Sequence, residues 1–153
     1  MSVAWRNDMK REEMQGEVRA VLDTINEAMR RRDAAGALSQ HARDAVVYDL
    51  APPLVSEIGT DEAKFQGWMD TWDGPIEQDW RDLKIHTNGD LAICHGLVRT
   101  KARQKTSGQV VMFWVRSTLC LVRSSGQWQI VHDHSSVPFY MDGSFRAAVD
   151  LEP

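Results

Sequence analysis

Cysteine is scarce: Cys94 and Cys120 are the only two in 153 residues, and no CxxC spacing occurs. That excludes a disulfide scaffold or a cysteine-based metal module, and it leads us to expect free thiols in a reducing cytoplasm. Long apolar runs are missing as well. No stretch approaches membrane-spanning length, and no apolar N-terminal segment resembles a signal peptide, so we expect no membrane partner. Neither charge sign dominates: 18 basic and 22 acidic residues give a net charge of −4, which argues against a general nucleic-acid or membrane-surface binder. The small basic clusters, Arg30-Arg31-Arg32 and Arg99 to Lys105, read as a solvated helix end and a solvated strand. Internal repeats and low-complexity segments do not occur.

The length suits one domain over residues 1–153, enough to bury a core without staples. Met14, Val18, Val21, Leu22, Ile25, Ala28 and Met29 recur at spacings of three and four, predicting an amphipathic helix from about residue 9 to residue 32. Asp33 opens a short second helical piece. A strand follows from about Ala45 to Ala51, stopped by Pro52-Pro53. Thr60 or Asp61 is expected to cap a third helix with Phe65, Trp68, Met69 and Trp72 on one stripe, ended by Asp73-Gly74-Pro75. Beyond residue 76 the pattern is strands joined at Asn88-Gly89-Asp90, Thr106-Ser107-Gly108 and Ser124-Ser125-Gly126. Helices first and a strand meander afterwards predict an α+β fold, helices packed on one face of a curved antiparallel sheet. The tail 140–153 has too few apolar residues for a core of its own and is expected to dock on the body or on a partner subunit.

The most informative segment is Gly126-Gln127-Trp128-Gln129-Ile130-Val131-His132-Asp133-His134-Ser135-Ser136-Val137-Pro138, a strand leaving a tight turn and halted by proline. Strict alternation would put Trp128, Ile130, His132, His134 and Ser136 on one face and Asp133 and Ser135 on the other. This run resembles the last strand of SnoaL-like domains in the nuclear-transport-factor-2-like superfamily, whose members include ketosteroid isomerase, polyketide cyclases and the association domain of calcium/calmodulin-dependent kinase II. The resemblance extends to Val46-Val47-Tyr48-Asp49-Leu50-Ala51-Pro52-Pro53, Gly59-Thr60-Asp61 and Gly89-Asp90-Leu91-Ala92, and covers about residues 15 to 139. It implies a cone-shaped, strongly curved sheet of cystatin-like type with three N-terminal helices on its concave face. It also implies a ligand cavity on the helix side and subunit pairing on the other. Activities on this scaffold are diverse, so function must come from the site.

Face parity supplies candidates. On strand 110–122 the odd positions, among them Val111, Phe113, Val115 and Leu119, are almost wholly apolar and should meet the helices. The mixed even face, with Trp114, Arg116 and Thr118, is expected to join His132 and His134 in a homodimer interface. Asp133 and Ser135 then line the cavity. On strand 91–101 the bulkier face, with His95, Leu97 and Arg99, suits the cavity, although one β-bulge would invert that assignment.

Asp49 resembles by position the general-base aspartate of ketosteroid isomerase, and desolvation in an apolar cavity would poise it to take a proton beside a carbonyl. The partners of that site do not follow: the oxyanion tyrosine falls on Ile25 and the second acid near Thr118 or Leu119. Steroid isomerisation is therefore not expected, and Asp49 can equally be a loop aspartate capping backbone N–H groups. Asp133 is either a base, with His95 as partner, or half of a buried ion pair with Arg99. The His132/His134 pair lacks an obvious third ligand, so no metal and no cofactor is expected. Asp49, His95, Arg99 and Asp133 are expected to approach one pocket walled by Trp68, Met69, Leu97 and Phe113, taking a small apolar or aromatic molecule. Two functions remain open. One is a cofactor-independent isomerase, cyclase or hydratase with a pocket aspartate as base, and the other is a non-catalytic ligand-binding or oligomerisation module.

Overall fold

The computed structural model describes residues 3–57 and 62–153, with side chains from residue 8 onward. Helix α1 (Val3–Arg31) carries the apolar stripe expected of it, and Met14, Val18, Val21, Leu22, Ala28 and Met29 are all buried. It ends where Arg32 takes a left-handed φ of 57°. There the Arg32 N–H donates to the Met29 carbonyl and the Asp33 N–H to that of Ala28, closing the last turn. Glycine is the usual residue at such a position. Here the Arg32 side chain offsets the strain by donating from Nη1 to the Trp72 carbonyl at 2.6 Å. Asp33 then caps α2 (Ala34–Leu38) through Oδ1, which accepts from the Gly36 N–H at 2.9 Å.

The remaining elements are β1 (His41–Tyr48), β2 (Ser56–Glu57), α3 (Glu62–Met69), β3 (Trp72–Asn88), β4 (Leu91–Gln104), β5 (Val110–Ser124) and β6 (Gln127–Ser136). They form one curved, unclosed sheet in the order β2-β1-β6-β5-β4-β3. The fold is α+β as expected. All pairs are antiparallel except β1 with β6, which run parallel. The expected cap at Thr60 or Asp61 lies outside the described residues. Several boundaries differ from expectation: α1 begins at Val3, β1 ends at Tyr48 and β4 runs to Gln104. Strand β1 starts at His41, four residues early. Trp72, Gly74 and Pro75 belong to β3, not to the end of α3. Proline is tolerated there because β3 is the sheet edge and its register shifts between Asp73 and Glu77.

The core lies between α1 and one sheet face. Met14, Val18, Val21 and Leu22 meet Ala92, Cys94, Leu119, Leu121, Trp128 and Ile130. A second cluster joins Ala28 and Met29 to Ala34, Ala37, Met69, Ile76 and Ala102. Gln66 ties α3 to the α1–α2 joint, donating to the Arg32 carbonyl and accepting from the Ala34 N–H, both at 3.1 Å. After β6 the chain turns back on itself: Phe139 bridges to Ala147, Ala148 is buried, and Arg81 Nη1 donates to the Pro153 carbonyl at 2.8 Å.

Two predictions follow from this packing. Burial pushes the Cys94 thiol from 9.0 up to about 11, with Cys120 adding to the effect. The folded state therefore holds this proton more tightly than the unfolded chain. The associated stability, about 3 kcal/mol at most, is complete below pH 9 and lost as pH rises towards 11. Urea unfolding of the unmutated protein should show that decline, and Cys94→Ala should flatten it. At Gly96, an added Cβ would sit 3.0 Å from the Arg81 carbonyl oxygen and 3.2 Å from Leu83 Cα. Both are backbone atoms flanking the β3 irregularity between Arg81 and Lys84, where Asp82 has a φ of 54°. Gly96→Ala should destabilise by about 1–3 kcal/mol, measured by the same unfolding curves.

Candidate functional site

A cavity of about 100 Å³ lies between α1 and the inner sheet face. Its apolar wall is Leu22 and Ile25 of α1, Trp80 of β3, Val98 of β4, Val115 and Leu119 of β5, and Ile130 of β6. Six polar side chains converge on it: Asn26, His41, Gln78, Ser117, Asp133 and Ser135. None of the lining residues is lysine, arginine or tyrosine.

The geometry of β6 makes this mixture possible. Its pairing with β5 runs Leu121↔Ile130 and then Cys120↔His132, so Val131 is an extra residue in the ladder. Such a bulge reverses the alternation. Ile130, buried in the core, and Asp133, opposite Leu119, therefore share the inner face. His132 and His134 are turned outward, as expected, while Trp128 and Ile130 leave the face that strict alternation gave them. Strand β1 slips at the same level, pairing His41 with Ile130 and then Val46 with His132. That slip brings His41 onto the inner face beside the bulge.

The His41 side chain is 6% exposed, and its Nε2 lies 3.8 Å from Asp133 Oδ2. This is too long for a hydrogen bond. Both His41 ring nitrogens are buried without a hydrogen-bond partner. A neutral imidazole has one donor and one acceptor, and leaving them unmet costs about 1–3 kcal/mol each. The gap between Nε2 and Oδ2 is small enough for one oxygen atom to touch both. Gln78 is anchored by donating from Nε2 to Thr100 Oγ1 at 3.3 Å. A carboxylate, an imidazole, two amides and two hydroxyls around one small cavity can move a proton and steady a developing oxyanion.

Of the residues expected from sequence, the structure brings Asp133 and Ser135 to this cavity and separates the others from it. Asp49 is exposed beyond the end of β1, where Oδ1 accepts from the Leu50 N–H at 2.7 Å, so the loop-capping arrangement is the one seen. His95, Leu97 and Arg99 lie on the opposite face of β4. His95 is exposed and stacked on His86 with centroids 5.4 Å apart, and Arg99 pairs with Asp79. The physical reason is clearance. Strand β4 turns Ala92, Cys94, Val98, Thr100 and Ala102 inward, because small side chains fit beneath the α1 and α2 packing while bulky ones do not. Met69 is fully buried in the second core cluster, Trp68 is half exposed and stacked on Phe65, and Phe113 sits on the inner face of β5 but outside the cavity lining. His41 was missed because Arg43 and Asp44 break the alternation of β1. The remaining signal was a histidine just before a β-branched run.

The outer sheet face carries Trp114, Arg116, Thr118, His132 and His134, and its strand pairing lines up His95, Thr118, His134 and Tyr48 in one row. His132 Nδ1 lies 2.8 Å from the Val46 carbonyl and its ring meets Tyr48 edge-on. Among the described residues no three His, Cys, Asp or Glu side chains group to hold a metal ion, and no helix is long and apolar enough to cross a membrane. A wider groove between α1 and β3, lined by Glu12, Gln15, Arg19 and Lys84, is open to solvent and contains no unmet buried group.

The chain matches the family model of the SnoaL-like domain over residues 18–140. It is similar to a nuclear-transport-factor-2-like protein of unknown function from Pseudomonas putida KT2440, with 30% identity over 93% of this chain and 98% of that one, TM-score 0.79. The fold is shared with a ketosteroid isomerase-like protein from Erwinia carotovora atroseptica, with 16% identity over 79% of this chain and 93% of that one, TM-score 0.66. It is shared too with a candidate scytalone dehydratase from Novosphingobium aromaticivorans, with 14% identity over 88% and 90%, TM-score 0.72. No curated protein matches the chain.

If Asp133 served mainly to balance a buried cation, losing its charge would be severe. Its ion-pair contact is with His41, at 3.8 Å. Asp133→Asn should therefore change unfolding free energy by less than about 1 kcal/mol, read from thermal and urea melts.

Proposed function

We propose that this chain, which belongs to the SnoaL-like domain family, is a cofactor-independent enzyme that moves protons on a small molecule, in a dehydration, hydration or isomerisation. The observation that supports it is the buried His41, without a hydrogen-bond partner, beside Asp133 in a cavity that four further polar side chains also line. Asp133 is the base in this reading. It takes a proton from carbon next to a carbonyl, and the electron pair of that C–H bond forms an enolate. Asn26, Gln78 or Ser117 hydrogen-bonds to the enolate oxygen. Where the substrate carries a hydroxyl one carbon further on, the enolate re-forms its carbonyl as the C–O bond breaks. The departing oxygen takes a proton from His41 and leaves as water, while the proton Asp133 took from carbon passes to the imidazole and restores His41 and the Asp133 carboxylate. We place the protein in the cytoplasm, a reading supported by its two free thiols.

Exchange of solvent deuterium into the α-carbon of small ketones, followed by proton NMR, tests the reading without a known substrate. The unmutated protein should accelerate exchange. Asp133→Asn should lose most of that acceleration, by about 10²- to 10⁴-fold, and His41→Gln a substantial part of it. Asp49→Asn should leave the rate unchanged. Equal rates for the unmutated protein and Asp133→Asn would remove the proposal.

A second reading concerns assembly and is compatible with the first. We propose a homodimer through the outer face holding Trp114, Arg116, Thr118, His132 and His134. It is supported by the lack of any described helix over that face and by exposed Tyr48, Ile93 and Met112 upon it. The segment after β6 adds exposed Phe139, Met141 and Phe145. Thr118→Glu, at the centre of the His95–His134 row, would bury an unpaired charge in such an interface. Light scattering should report a dimer for the unmutated protein at micromolar concentration and a monomer for the variant.

A further inference from the structure

We infer that the cavity takes the oxygen-bearing end of a small neutral molecule, a compact alcohol or ketone, and turns away carboxylates and fused-ring substrates. The inference rests on the reading of the His41–Asp133 cavity as the reaction site and adds its ligand class. Three independent features carry it.

The first is size. The cavity measures about 100 Å³, whereas an engineered cavity of about 150 Å³ is known to accept one benzene molecule. On that scale about four heavy atoms fit wholly inside, so a compact ligand seats its oxygen-bearing end there and the remainder reaches the mouth. Trp80, Ile25 and Val115 set that limit, because they are ordinary core residues of three different elements and Val115 is buried. A two-ring skeleton would have to displace the Trp80 indole from its packing against the α1 core.

The second is charge. With no lysine or arginine in the lining, an entering carboxylate or phosphate loses its hydration and gains no cation. It would also face the Asp133 carboxylate.

The third is hydrogen-bond polarity. His41 offers one donor and one acceptor, both unmet, and Asp133 offers acceptors next to it. A hydroxyl gives and takes a hydrogen bond, so one such oxygen satisfies both residues. A carbonyl oxygen accepts from the His41 donor.

Probes of matched size separate these chemistries. Cyclopentanol, cyclopentanone and cyclopropanecarboxylate, with 2-decalone as the fused-ring control, would each be titrated into the protein. The readout is the imidazole NMR resonance of His41, assigned by its loss in His41→Gln. Cyclopentanol and cyclopentanone should shift that resonance with millimolar affinity, and cyclopropanecarboxylate should bind about tenfold or more weakly. In Asp133→Asn the discrimination against the carboxylate should shrink. 2-Decalone should leave the resonance unmoved, and should bind once Trp80→Ala widens the wall. Should Trp80→Ala fail to fold, the panel on the unmutated protein decides alone.

The inference is overturned if the carboxylate binds as tightly as cyclopentanol, or if 2-decalone does. It is also overturned if no neutral probe moves the His41 resonance up to its solubility. The two readings fail separately. Neutral probes at His41 with no deuterium exchange in any ketone would remove the catalytic reading and keep the ligand class. Asp133-dependent exchange in a carboxylate-bearing ketone, with that compound binding best, would do the reverse.

Discussion

Everything in this molecule is arranged around the contact of α1 with the inner face of the sheet. The sheet is open and one-sided, so each inward side chain must be covered by a helix or left wet. Val18 is fully buried beneath it, as are Cys94 and Ile130 opposite, and Leu121 is nearly so. Close approach is possible because β4 presents alanines, a cysteine and a valine to the helices. The same closeness makes the cavity small. Where the α1 side chains shorten from the Leu22 level to Asn26, the helix no longer fills the space above Ser117 and Asp133, and a polar hollow remains inside an apolar shell.

Within that frame the Val131 bulge does two things at once. It allows Trp128 and Ile130 to complete the core, and one step later it turns Asp133 and Ser135 into the hollow instead of His132 and His134. Without the extra residue, a strand that buries Ile130 would also bury both histidines and put Asp133 outside. The coincident slip in β1 is the complement: its irregular stretch places Arg43 and Asp44 in solvent while His41 and Ala45 are turned in. Bulges commonly sit beside active sites because they re-aim one side chain without disturbing the rest of a sheet. Here two of them aim a carboxylate and an imidazole at each other from parallel neighbouring strands.

Much of this was legible in the chain. The α1 stripe, the Ser125-Gly126 turn with both φ values positive, and the inward odd positions of β5 follow from local chemistry that tertiary packing did not override. The resemblance of residues 126–138 to a SnoaL-like strand pointed to the family and its layers. The site was only half legible. Asp133 and Ser135 could be placed because they lie close to a recognisable turn. Reading parity across the bulge assigned them correctly, though by an alternation that Trp128 and Ile130 break. His95 and Arg99 were misplaced because the bulkier face of a strand is not the buried face when a helix presses close. Side-chain volume has to be judged against the helix above, which no single strand records.

His41 is the residue that sequence could not supply, and the reason is physical. A histidine becomes chemically distinctive through burial, an unmet hydrogen-bonding capacity and a neighbouring acid, none of which has a local signature. Asp49 shows the converse. Its place after a β-branched strand and before a proline pair gave it the look of a buried base, yet its carboxylate turns to the next backbone N–H and stays in solvent. A position inherited from a scaffold does not bring a function with it. The acid that the fold sets beside a buried imidazole is instead Asp133.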